Sequence, residues 1–201
     1  RAEARFEIAH EAARALVHDV HDDVAALDGS TATRARVLER AVGYLDRLAA
    51  DPTAGRGLRV DLAEAYFKVG QVQGGPNAPG LGRSHSAAES FRRGLGVLPP
   101  PATPVAADTT GRSAERIRGR LHEKLGGVLA GQGRLALALR HLGDALAAFD
   151  RALAHAPADA ETQVLRAGGL VNQADYAGHP DFPNDGRPAD ALAGYRAARA
   201  A

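Results

Sequence analysis

Displaced along itself by 104 positions, the sequence superimposes Gly74 on Gly178, Pro76 on Pro180, Pro79 on Pro183 and Gly82 on Gly186 without a gap. The same displacement sets Arg83 on Arg187, Ala87 on Ala191, Phe91 on Tyr195 and Arg92 on Arg196. A loop and the segment after it are therefore repeated. Repeated supersecondary units cannot each close a core alone, so they stack, and every unit buries a face against its neighbour.

The residues between the repeated loops are helical in pattern. Hydrophobic residues make up 45% of the 201-residue chain but aromatics only 4%, so the apolar mass is Ala, Leu and Val. Ala is the best helix former, and a β-sandwich of this length would show more β-branched and aromatic alternation. Apolar residues recur every three or four positions at Phe6, Ala9, Ala13, Leu16, Val20, Val24 and Leu27, predicting a first helix over about 2–27. Val37, Leu38, Ala41, Leu45 and Leu48 mark a second helix, broken at Asp51-Pro52. Leu62, Ala65, Tyr66 and Val69 mark a third; Phe91 and Leu95 lie on a fourth, with Ser86 and Glu89 at capping-box spacing. Ile117, Leu121, Leu125 and Val128 stripe a fifth, and a long sixth runs from Arg134 to about Ala156. Asp159 is placed to cap the seventh, and Pro188 to open the eighth at a first-turn position.

Within this frame the small and large residues resemble the tetratricopeptide repeat. Leu62, Ala63, Tyr66 and Gly70, then Ala87, Phe91, Gly94 and Pro99, follow the family spacing in one unit. Leu125, Gly126, Leu129, Gly133, Ala138, Leu142 and Ala145 follow it in a second, and Ala167, Gly168, Ala191, Tyr195 and Ala198 in a third. The 104-residue period is about three such units of 34 residues. The resemblance implies an all-α, right-handed solenoid of about eight helices. Its parts would be an N-terminal helical pair (1–50), a first unit with an inserted loop (57–99), a Pro-rich linker (100–111), a second, extended unit (112–157) and a third unit with an inserted loop (158–201).

A second resemblance covers residues 1 to about 95. His21-Asp22-Asp23, Leu27 to Thr31, Tyr44 to Ala49, Leu62 to Tyr66 and Val69 to Gly74 are similar to the C-terminal part of bacterial membrane-anchored serine/threonine protein kinases. In those proteins a kinase domain and one membrane helix precede tetratricopeptide repeats. The resemblance implies a sensor or partner-binding half outside the cytoplasm, attached through an anchor upstream of this chain. A free-standing scaffold, which would be cytoplasmic, and a self-associating module that forms a homodimer are the alternatives.

Catalytic chemistry finds little support. The chain has no cysteine, so disulfides, thiolate metal sites and Cys nucleophiles are excluded. A net charge of +1 supplies no drive toward nucleic acid. No apolar run reaches the roughly 20 residues of a membrane span, and we expect no signal peptide among these residues; because it opens at Arg1, we expect the chain to be part of a longer one. Kinase motifs and a nucleophile elbow are missing. The loop from Gly74 to Ser84 fails as a phosphate loop because Asn77 and His85 stand where glycines are needed. His18, His21 and Asp22 share one helical face and form a candidate metal-ligand set, although one helix alone supplies them. No cofactor is expected.

The function left is binding. Tetratricopeptide arrays take a protein or peptide in a groove lined by their first helices. The resemblance places Glu64, Phe67, Lys68 and Gln71 there, with Arg120 and Glu123 from the second unit and Asn172 and Gln173 from the third. Phe67, beside a core Tyr66, is expected to point outward as an aromatic anchor.

Overall fold

A computed structural model describes residues 31–74, 81–101, 109–154 and 156–200. The described residues form seven helices and no strand: α1 (Thr31–Ala49), α2 (Arg56–Gly74), α3 (Ser84–Val97), α4 (Thr109–Gly131), α5 (Leu135–Leu153), α6 (Ala160–Gly178) and α7 (Pro188–Ala200). The protein is all-α. The helix expected over 2–27, with His18, His21 and Asp22, lies outside the described residues. Among those described, no helix is long and apolar enough to cross a membrane.

The chain divides into two compact units, Arg1–Leu98 and Pro99–Ala201. In the first, Leu38, Ala41 and Leu45 of α1, Leu62 and Tyr66 of α2, and Ala87 and Phe91 of α3 are buried. Gly70 makes the α2–α3 approach possible. A Cβ there would collide with the Phe91 ring, whose Cδ1 lies 2.7 Å from its position. Two side-chain hydrogen bonds fasten the layers: the Tyr66 hydroxyl donates to the half-exposed Asp46 Oδ1 at 2.6 Å, and the buried Ser90 hydroxyl to Gln73 Oε1 at 2.7 Å.

In the second unit α4 packs along α5, and α6 packs against both α5 and α7. The expected row Ile117, Leu121, Leu125 and Val128 is buried, facing Ala138, Leu142, Ala145 and Phe149. Gly119 receives the Phe149 ring as Gly70 receives Phe91. Gly126 lets α5 approach until a Cβ would stand 3.2 Å from the Ala138 carbonyl. Inside this core a charged pair is buried: Glu115 accepts from Arg118 at 3.4 Å and from Arg151 at 2.8 Å, and Arg118 also donates to the Pro99 carbonyl. Burial lowers the Arg118 pKa, and the Glu115 carboxylate opposes that shift.

The repeat is wider than the loop that first reveals it. Adding 104 to the bounds of α1 and α2 reproduces those of α5 and α6, and α3 and α7 start in the same register. The loop backbone repeats as well. Leu81 N–H donates to Val72 O and Arg83 N–H to Gln73 O, at 3.1 and 2.8 Å. One period later Asp185 donates to Tyr176 O and Arg187 to Ala177 O, again at 3.1 and 2.8 Å. Gly82 and Gly186 take φ of +67° and +69°, the left-handed region that favours glycine.

Two sequence expectations change. The helix bearing Ser86 and Glu89 starts earlier, at Ser84, and its N-cap Arg83 makes no side-chain cap bond; the Arg83 N–H bond to Gln73 and the turn at Gly82 fix this start instead. The sixth predicted helix is not extended to Pro157. It is α5, 19 residues ending at Leu153, the length of its counterpart α1. Asp159 caps α6 as expected, accepting from Thr162 N–H and from the Thr162 hydroxyl at 2.8 Å.

Candidate functional site

The predicted groove residues separate into three groups. On α2, Glu64, Lys68 and Gln71 are half-buried. Phe67 is not the outward anchor expected: it is 1% exposed, with its ring 6.1 Å from Phe91. The reason is the position of α2 between α1 and α3, both of which it contacts. A middle helix buries two faces, so adjacent Tyr66 and Phe67 both enter the core.

In the second unit the structure brings predicted residues together. The Asn172 amide of α6 donates to Glu123 Oε1 of α4 at 2.9 Å, and Glu123 also pairs with Lys124 at 3.5 Å. Arg120 and Gln173 are half-buried on the same two helices. Tyr176, one turn after Asn172, has its pKa raised by burial first and by the Asp175 and Glu123 charges after it. Its ring meets Phe182 edge-on at 6.3 Å, and Phe182 meets His179 at 5.4 Å. The inserted loop is thereby folded onto the hairpin. Asn184 holds it further, donating to the His179 and Phe182 carbonyls at 2.9 Å. The Tyr195 hydroxyl donates to Asp175 Oδ1 at 2.5 Å; burial and this bond raise its pKa to about 12.

The largest exposed apolar side chains among the described residues gather on the α6–α7 hairpin and its loop: Val164 (71% exposed), Leu192 (50%), Phe182 (42%) and Val171 (38%). The internal repeat supplies a direct comparison. One period earlier stand Val60, Ala88 and Phe67 in place of Val164, Leu192 and Val171, and their exposures are 7%, 1% and 1%. Val164 and Val171, two helical turns apart, share one stripe. Equivalent positions are core in one hairpin and open apolar surface in the other.

A polar furrow of about 360 Å³ runs beside Glu39, Asp46, Glu89, Arg83 and Arg93 in the first unit. Its charges are paired with one another: Arg83 with Glu39 at 3.1 Å, and Arg93 with Asp46 and Glu89 at 3.3 and 3.2 Å. Arg83, at the end of the Gly74–Ser84 loop, is thus engaged in an ion pair. The furrow combines α1 with α3, which no single motif in the sequence announces.

A second cluster that sequence reading missed joins α4 to α5. His122 Nδ1 and His141 Nδ1 are 2.9 Å apart, and His122 Nδ1 lies 3.8 Å from Asp144 Oδ2. Burial, with His141, Arg118 and Arg151 nearby, lowers the His122 pKa to about 4 against the opposing pull of Asp144. Nineteen residues separate the two histidines, so only the packing of the helices reveals the pair.

Compared with family models, curated proteins and solved structures, the chain matches none of them.

Proposed function

We propose that the chain is a non-catalytic helical-repeat module of the tetratricopeptide kind, and that it binds a protein or peptide. The repeat assignment is supported by the second unit, where Leu125, Gly126, Leu129, Ala138, Leu142 and Ala145 are all buried. There the small Gly126 meets the Ala138 carbonyl and Leu142 across the hairpin, the role that repeat gives its small residues. The observation that carries the binding reading is the exposed apolar stripe at Val164, Val171 and Leu192, whose repeat counterparts are buried. A surface of that kind gains free energy when another protein covers it.

The stretches similar to membrane-anchored serine/threonine kinases extend the reading. In that form the chain is the extracytoplasmic sensor half of such a kinase; in the alternative form it is a free-standing scaffold. Self-association is the reading in which a second copy covers the stripe.

A quantitative pull-down tests the proposal. The wild-type chain is expected to retain a defined partner, or to dimerise in light scattering, and Val164→Asp with Leu192→Asp is expected to abolish either. Lys68→Ala with Gln71→Ala tests the groove in the same assay. A chain that stays monomeric and retains nothing, or a stripe variant that binds as wild type does, overturns binding through this face.

A further inference from the structure

The pair His122 and His141 and the carboxylate of Asp144 offer three ligand atoms within 4.8 Å of one another, on two helices. His141 and Asp144 are one turn apart on α5, so both reach the same side of it, and α4 brings His122 across. Two imidazole nitrogens and one carboxylate oxygen are donors of the borderline type that suits zinc. From metal–ligand bonds of about 2.0–2.1 Å, tetrahedral donors stand roughly 3.3 Å apart. Two of the observed separations, 2.9 and 3.8 Å, stand on either side of that value and the third lies within 4.8 Å, so side-chain adjustment is needed to complete the geometry. Of the nearby cations, Arg118 and Arg151 share the one carboxylate of Glu115, which offsets one of their two charges.

We propose that His122, His141 and Asp144 bind one zinc-class divalent ion, which staples α4 to α5 and leaves a fourth coordination position for water or a partner's donor group. Asp144 adds a third donor to the two imidazoles.

The internal repeat shows that the set belongs to one half only. The positions 104 residues earlier are His18, Val37 and Arg40, so the histidine of α4 has a sequence counterpart while the two ligands of α5 do not. The site should therefore be filled once per chain.

The test is calorimetric titration of the whole chain with Zn²⁺, repeated with Co²⁺ for its visible spectrum. One ion per chain and the absorption of a tetrahedral nitrogen–oxygen site are expected. His141→Val, which copies the residue α1 carries in this register, should weaken binding by about a hundredfold or more, beyond what outer-shell changes cost. Asp144→Asn should weaken it less, and His18→Gln with His21→Gln should leave it unchanged. Circular dichroism of each variant separates loss of a ligand from loss of fold. No binding by the folded wild type, unchanged binding by His141→Val, or loss on changing His18 and His21 would each overturn the proposal.

Discussion

Two glycines let helices of this protein pack directly against phenylalanine rings. Gly70 and Gly119 each lie under a buried phenylalanine ring, Phe91 and Phe149. Alanine in a helix is normally favoured over glycine by about 1 kcal/mol. Here overpacking should cost about 1–3 kcal/mol and outweigh that gain. Gly70→Ala and Gly119→Ala are each expected to lower the chemical-denaturation midpoint, and Phe149→Leu should restore part of the loss in Gly119→Ala. Asp159 makes a pH-dependent contribution to stability. Bonding to Thr162 lowers the Asp159 pKa, so the folded state binds the proton less readily than the unfolded one. Its contribution is complete above the ordinary carboxylate range and is lost as pH falls below that range through the lowered folded-state value. Asp159→Ala should therefore cost about 1 kcal/mol at pH 7 and progressively less under acid conditions, while Asp159→Asn should show little pH dependence. Thermal melts of the three proteins at pH 7 and pH 3 would show it.

At the scale of elements, the repeated loop is a small machine for starting a helix. Gly82 and Gly186 have nothing within 4 Å of an added Cβ, so alanine at either should cost only the left-handed backbone penalty of about 1–2 kcal/mol, nearly equal at the two sites. Gly178→Ala should cost more, since its Cβ would strike the backbone of Arg187. Denaturation of the three variants checks the order. Much of this was legible in the residues. The glycines and prolines of the loop carry the period, apolar spacing marks the bodies of α1, α2 and α4, and Asp159 marks the start of α6. The start of α3 was not, because a loop-to-helix hydrogen bond between residues ten apart replaces the side-chain cap that local patterns report. Phe67 misled for a related reason: a stripe analysis assigns one buried face, and a helix between two others has two. The His122–His141 pair, each on its own helix, could be found only once the helices were packed.

The molecule as a whole is built on duplication. Beyond the described residues the sequence continues the register, with Glu11, Arg14 and His18 standing 104 positions before Glu115, Arg118 and His122. The second unit, with its core of Ile117, Leu121, Leu125, Leu142 and Phe149, should fold alone: a fragment of residues 99–201 is expected to be helical and to melt cooperatively, and a featureless melt would contradict its independence. The hairpin that ends this unit differs from its earlier copy chiefly in what it leaves uncovered. Hydroxyl-radical footprinting, of the wild-type chain alone and in the complex recovered by pull-down, asks directly whether that face binds protein. Protection at Val164, Val171 and Leu192, with the exposed Arg92 of α3 unchanged, is the expected result. Unaltered labelling of all three, with protection elsewhere, would contradict it.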